Sequence, residues 1–127
     1  MSDQPANGFY PGQAPIDAYG DGGFRFAGMN HRGSLLALPG GIRAWDAVGI
    51  EDLTSDSFAP LFAERDRIEF VVLGTGAKQW FAAPALRQEF EALGLGLEAM
   101  TTGAAARTYN VLLAEGRKIA AALLAVG

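Results

Sequence analysis

The residues best equipped to do chemistry in this sequence are Gly74-Thr75-Gly76-Ala77-Lys78. Glycines let backbone N–H groups approach a ligand closely, and a nearby lysine adds positive charge, so the stretch has the ingredients of an anion cradle. It is not a phosphate loop, because the Gly-x-x-x-x-Gly-Lys-Ser/Thr spacing is missing and no helix is expected before Pro84. The third glycine of a dinucleotide fingerprint is missing too. The competing reading is a turn after a strand that needs positive φ. Thr102 is the second candidate, at a helix start whose N–H groups would face an anion, although capping by itself is the commoner reason for a threonine there. If Leu73 and Met100 end adjacent strands, Thr102 comes to lie beside Gly74 to Gly76. Asn110 sits in an otherwise apolar helical turn, and a buried amide must find partners, more often by pinning a neighbouring loop than by holding a substrate.

Other catalytic signals are weak. His31, in a glycine-flanked turn without an acidic partner at a telling spacing, reads as an exposed loop histidine. Glu64, Asp66 and Glu69 surround arginines and read as solvated charges rather than a general acid/base pair. No serine occupies a Gly-x-Ser-x-Gly elbow. With no cysteine in the chain, disulfides, zinc-thiolate sites, iron–sulfur clusters and thiol nucleophiles are excluded. A histidine-based metal site would have to take its other ligands from carboxylates. No cofactor, metal or catalytic residue is therefore assigned, and the balance leans against an enzyme.

The elements that would position these residues centre on Phe70-Val71-Val72-Leu73, an apolar run stopped by glycine that reads as a strand buried on both faces. Before it, residues 1 to 14 carry Pro5, Gly8, Pro11 and Gly12, with Pro15 just beyond, and read as a loose arm, with Phe9-Tyr10 able to dock. Ile16 to Tyr19 reads as a short strand. Phe24 to Phe26 and Ser34 to Leu38 read as a hairpin closed by a longer loop, and Ile42 to Trp45 as a further strand. Thr54 is an N-cap for a helix through Phe58, Leu61 and Phe62, which Pro60 should shorten or kink. Pro84 opens a helix with Leu86, Phe90 and Leu93 inside and Arg87 paired with Glu91 outside. Leu97 to Met100 is the next strand, completing a βαβ unit. A helix capped by Thr102 follows, ended by Gly116, and Ile119 to Val126 is an all-apolar closing strand. The expected fold is α/β in three layers: a small β layer, a central mixed sheet and helices.

At 127 residues, half apolar and 19% charged, the chain is ordinary for one globular domain, here residues 15–127. A net charge of −4 argues against nucleic acid as the main partner. The N-terminus has no apolar signal-peptide core, and the longest apolar run is too short to span a bilayer. The expectation is a soluble cytoplasmic protein without a transmembrane segment.

Three blocks, Ile68 to Gly76, Thr102 to Leu112 and Glu115-Gly116-Arg117, together resemble the mitochondrial NADH dehydrogenase (complex I) assembly factor 3 family and its prokaryotic relatives of unknown function. Ile16 to Tyr19 and Asp52 to Thr54 also fit, so the resemblance covers about residues 15 to 125. It implies a three-layer α/β fold with a five-stranded mixed sheet. It implies a non-catalytic accessory protein acting on protein partners, respiratory complex subunits or other assembly factors, and it carries no catalytic residues over. Many relatives have cysteine where this chain has Ala106, so a thiol there is not essential to this protein. The rival reading is a binder of an anionic small molecule, or an enzyme, using Gly74, Thr75, Gly76, Lys78, Thr102 and Asn110.

Overall fold

A computed structural model describes residues 10–127. In chain order the strands are β1 (Tyr10–Pro11), β2 (Ile16–Gly20), β3 (Gly23–Phe26), β4 (Met29–Arg32), β5 (Ser34–Leu38), β6 (Gly41–Trp45), β7 (Phe70–Gly74), β8 (Gly96–Met100) and β9 (Ile119–Leu123). The helices are α1 (Ala59–Phe62), α2 (Pro84–Ala92) and α3 (Thr102–Ala114), with 3₁₀ turns at Ile50–Asp52, Ser55–Phe58 and Arg65–Arg67. Among the described residues these form a mixed sheet in the order β1-β6-β5-β9-β7-β8, a three-stranded sheet β2-β3-β4, and the helices. The α/β class expected from the sequence is the one observed. The main sheet has five five-residue strands, to which the two-residue β1 adds a sixth.

The β7 strand has parallel neighbours on both sides, β8 and β9. Its connection to β8 runs through α2, and the return across β7 to β9 runs through α3. Crossovers of this kind are overwhelmingly right-handed, so two that move in opposite directions must pass over opposite faces of the sheet. They do: Leu86 and Phe90 of α2 pack with Val71 and Leu73, whereas Ala105 and Tyr109 of α3 pack with Val72. Covered on both faces, Val71, Val72 and Leu73 are 0% exposed, which is why the run is apolar without alternation. The α2 face also holds an aromatic cluster, in which Phe58 lies 5.1 Å from Phe90 and 5.4 Å from Trp45. The three-stranded sheet shares the α3 face through Ile16, Phe24 and Phe26.

Several local expectations are corrected. Phe24 to Phe26 does not pair with Ser34 to Leu38; β4 intervenes, and Phe24 faces His31. Ala27 and Gly28, with φ of 51° and 75°, make a two-residue turn that returns the chain at once. The run Ser34 to Leu38 is buried at all five positions and so belongs inside the main sheet, between β6 and β9. His31 is a buried strand residue, not a loop residue, with Nε2 3.0 Å from the Ser34 carbonyl oxygen. The closing strand stops at Leu123, short of Val126. The helix after Thr54 is reduced to a 3₁₀ turn and a single helical turn with Pro60 at its start, and the side-chain bond at its N-terminus comes from Ser57 Oγ, which accepts from Thr54 N–H at 3.0 Å. Arg87 is drawn away from Glu91, donating to the Leu97 carbonyl at 3.2 Å.

The loose arm expected over residues 1–14 falls outside the described residues up to Phe9. From Tyr10 onward it is tied down. Tyr10 and Pro11 pair with Ile42 and Gly41, at a sheet edge where a proline forfeits no ladder bond. The Tyr10 ring meets Phe26 edge-on at 5.8 Å. Gln13 Nε2 donates to the Ile119 carbonyl at 2.7 Å, and the Tyr109 hydroxyl donates to the Ala14 carbonyl at 2.9 Å.

Two expected outcomes follow from this packing. Val71→Asp should abolish the cooperative thermal transition seen by circular dichroism, because a carboxylate between two covered faces has no partner. A variant melting within about 5 °C of wild type, roughly 1 kcal/mol for a domain of this size, would show that β7 is not central. Burial holds the Tyr109 hydroxyl above the usual phenol range, with its bond to Ala14 acting in the opposite sense. The fold therefore keeps this phenol protonated where the unfolded chain ionises it. That stability is fully present below about pH 10 and declines as pH rises above it. The urea midpoint should fall above pH 10 more steeply in wild type than in Tyr109→Phe; parallel pH profiles would contradict this.

Candidate functional site

The sequence candidates meet at the C-terminal edge of β7, with one exception. The Thr102 hydroxyl donates to the Leu124 carbonyl at 2.7 Å and accepts from Gly76 N–H at 2.9 Å. Thr102 N–H donates in turn to the Gly76 carbonyl at 2.9 Å. Thr75 N–H donates to the Met100 carbonyl at 2.8 Å, and its hydroxyl donates to the Lys78 carbonyl at 2.6 Å while accepting from Trp80 N–H at 3.3 Å. Gly74, Thr75, Gly76 and Thr102 are thus brought together as expected, and Lys78 joins them through its backbone, its side chain remaining exposed. Asn110 lies elsewhere: its amide bonds both the N–H and the carbonyl of Ile16 at 2.8 Å, pinning β2 to α3.

The N–H groups of Thr75, Gly76 and Thr102, on which an anion cradle would depend, are already donated within the protein. Glycine is needed at 74 because a Cβ there would sit 2.9 Å from Thr102 Oγ1 and 3.0 Å from Leu123. Gly76 takes φ of +101°, the left-handed region that favours glycine. The Tyr19 phenol fills the space a Cβ on Gly103 would need, so the start of α3 is covered as well. The N-cap is corrected to Thr101, whose hydroxyl accepts from Ala104 N–H at 3.3 Å, leaving Thr102 as the first helical residue.

What this knot positions is the loop that follows it. Thr75 closes the turn at Lys78 and Trp80, and Gln79 donates to the Ala99 carbonyl at 3.3 Å. Ala82 and Leu86 are buried beneath. Trp80 and Phe81, held between these anchors, face outward at 52% and 84% exposure. With Ile50 and Leu53 opposite, they border an apolar groove of about 390 Å³ whose charged lining residue is Glu51. Val48, 80% exposed, precedes that second wall. Single exposed apolar side chains are ordinary; here two exposed aromatics stand together beside an apolar groove. Trp80 and Phe81 fall outside every motif in the sequence. Their signal was present, as two large aromatics in a non-periodic stretch just ahead of a helix-opening proline.

The six-stranded mixed sheet, the small sheet and the crossover helices define a class already seen in solved structures. A crystal structure of a Bartonella henselae protein, described as an outer membrane protein, matches with a TM-score of 0.89 and 46% identity, covering 93% of this chain and 99% of that one. The solution structure of a Bordetella pertussis protein described as an Mth938-like domain matches with a TM-score of 0.75 and 30% identity, covering 87% and 85%. The chain belongs to the family described as protein of unknown function (DUF498/DUF598), matched over residues 16–124. An uncharacterized protein of Rhodobacter capsulatus is 44% identical over 115 residues, which are 91% of this chain and 87% of that protein. The mouse NADH dehydrogenase [ubiquinone] 1 alpha subcomplex assembly factor 3 is 34% identical over 115 residues. That alignment takes in 91% of this chain but only 62% of the mouse protein.

The clamp gives a graded expectation. Thr102→Val keeps the shape but orphans Gly76 N–H and the Leu124 carbonyl, and should cost about 3 kcal/mol in urea unfolding at unchanged m-value. Thr101→Ala removes a helix cap and should cost about 1 kcal/mol. The reverse order would return the capping role to Thr102.

Proposed function

We propose that this chain is a non-catalytic accessory protein that works by binding a protein partner, in the manner of an assembly factor for a respiratory complex. The observation that carries the reading is the Trp80–Phe81 groove: two rigid aromatics held out by a hydrogen-bonded loop beside an apolar cleft. Aromatic side chains of this kind supply large contact area at low entropic cost when a partner covers them. The mouse relative's description as an assembly factor supports the same reading, and respiratory complex subunits or companion assembly factors are the partners it points to. The reading takes the protein as cytoplasmic. Among the described residues no helix is long and apolar enough to cross a membrane, which is compatible with it. An anionic ligand or a reaction at the Gly74–Gly76 and Thr102 edge would first have to displace hydrogen bonds made within the protein.

The test is Phe81→Ser, chosen because an 84% exposed ring contributes little to the core. In cells that make complex I, tagged wild-type protein should co-purify with complex I subunits. The variant should lose about tenfold or more of that recovery, the scale of one interface anchor, while melting within about 2 °C of wild type. Equal recovery by both proteins would remove the groove from the function.

A further inference from the structure

The two walls of the groove differ in chemistry, and the difference says what kind of segment fits between them. One wall, Ile50 to Leu53, carries Glu51 and Asp52, and no lysine or arginine lies between Arg43 and Arg65. Both acids are exposed. Asp52 Oδ2 accepts from Gly49 N–H at 3.1 Å, which fixes the turn carrying Ile50 and Glu51. Glu51 itself lines the groove, and no described partner neutralises it; the ion pair found among the described residues is Arg67 with Glu64, at 2.9 Å. The other wall is aromatic, and the faces of Trp80 and Phe81 attract cations. The cations nearest this wall in sequence are Lys78, exposed at the loop's start, and Arg87, engaged with the Leu97 carbonyl.

We infer that the groove accepts a basic amphipathic segment of a partner protein, with apolar side chains seated between Trp80–Phe81 and Ile50–Leu53. Its lysines or arginines would face Glu51 and Asp52. The inference rests on the partner-binding reading and adds the chemistry of the partner. Apolar burial in the groove supplies the affinity, whereas the acidic wall sets orientation and rate and rejects acidic segments. Exposed charges are individually weak, so the preference should be strongest at low ionic strength.

The experiment uses the full chain and two synthetic helical peptides of about 14 residues, roughly four turns, with leucine at i, i+3, i+4 and i+7. The remaining positions are lysine in one peptide and glutamate in the other. Calorimetric titration at low salt should show the lysine peptide binding about tenfold or more tightly than the glutamate peptide. Phe81→Ser should weaken the lysine peptide about tenfold. Glu51→Lys should reduce the preference several-fold, whereas Glu115→Lys, the same charge change just beyond the end of α3, should change it less than about twofold. Equal loss in Glu51→Lys and Glu115→Lys would mean that net charge alone is felt, and would overturn the inference. Equal binding of both peptides, abolished by Phe81→Ser, would also overturn it while leaving the groove as a partner site. Binding indifferent to Phe81→Ser would overturn both.

Discussion

The Thr102 hydroxyl is the constraint on which the working end of this molecule depends. A hydroxyl has one proton to give and lone pairs to receive, and here both capacities are used, toward the Leu124 carbonyl and from Gly76 N–H. One atom thereby joins the exit of β9, the turn after β7 and the first turn of α3. With Thr102 0% exposed, no water is at hand to replace either bond. Gly74 completes the closure by lacking the Cβ that would collide with that oxygen.

Open α/β sheets generally receive ligands beyond the carboxyl ends of their strands. In this protein the Thr75 and Thr102 hydroxyls make internal hydrogen bonds at that edge, and the Tyr19 phenol lies against Gly103. These bonds fix the take-off of residues 77 to 83, and Gln79 secures the loop again at β8. A loop held at both ends can present Trp80 and Phe81 without the ordering cost that a free loop would incur on binding.

The two faces of the main sheet are finished differently. On the α3 side, Asn110 satisfies both backbone groups of Ile16, Gln13 bonds the Ile119 carbonyl, and Tyr109 bonds Ala14, so the small sheet and the incoming chain are sealed down. On the α2 side, short 3₁₀ turns and a single helical turn cover Trp45, Phe58 and Phe90 but stop short of the Trp80–Phe81 loop. The gap left between them is the apolar groove. Glu51 lines one of its borders, giving that face a sign as well as a shape.

Local chemistry in the sequence determined the elements whose environment is uniform. The β7 run is apolar because both its faces are covered, Pro84 opens α2 because the first helical N–H has no partner to lose, and the closing strand is apolar for the same reason as β7. The meeting of Gly74 to Gly76 with Thr102 was also legible, since adjacent parallel strands must end on one edge. Tertiary contacts decided the rest. Whether Thr101 or Thr102 caps α3 depends on the Leu124 carbonyl, which arrives from 22 residues further along. Whether Met29 to Arg32 is strand or loop depends on a two-residue turn with positive φ at Ala27. Whether residues 10–14 dock depends on distant partners: the Tyr109 hydroxyl, which donates to the Ala14 carbonyl, and the Ile119 carbonyl, which accepts from Gln13. Trp80 and Phe81 carry no periodicity to place them inside or out; their exposure follows from anchors at Thr75, Gln79 and Leu86, which only the folded chain brings to either side of them.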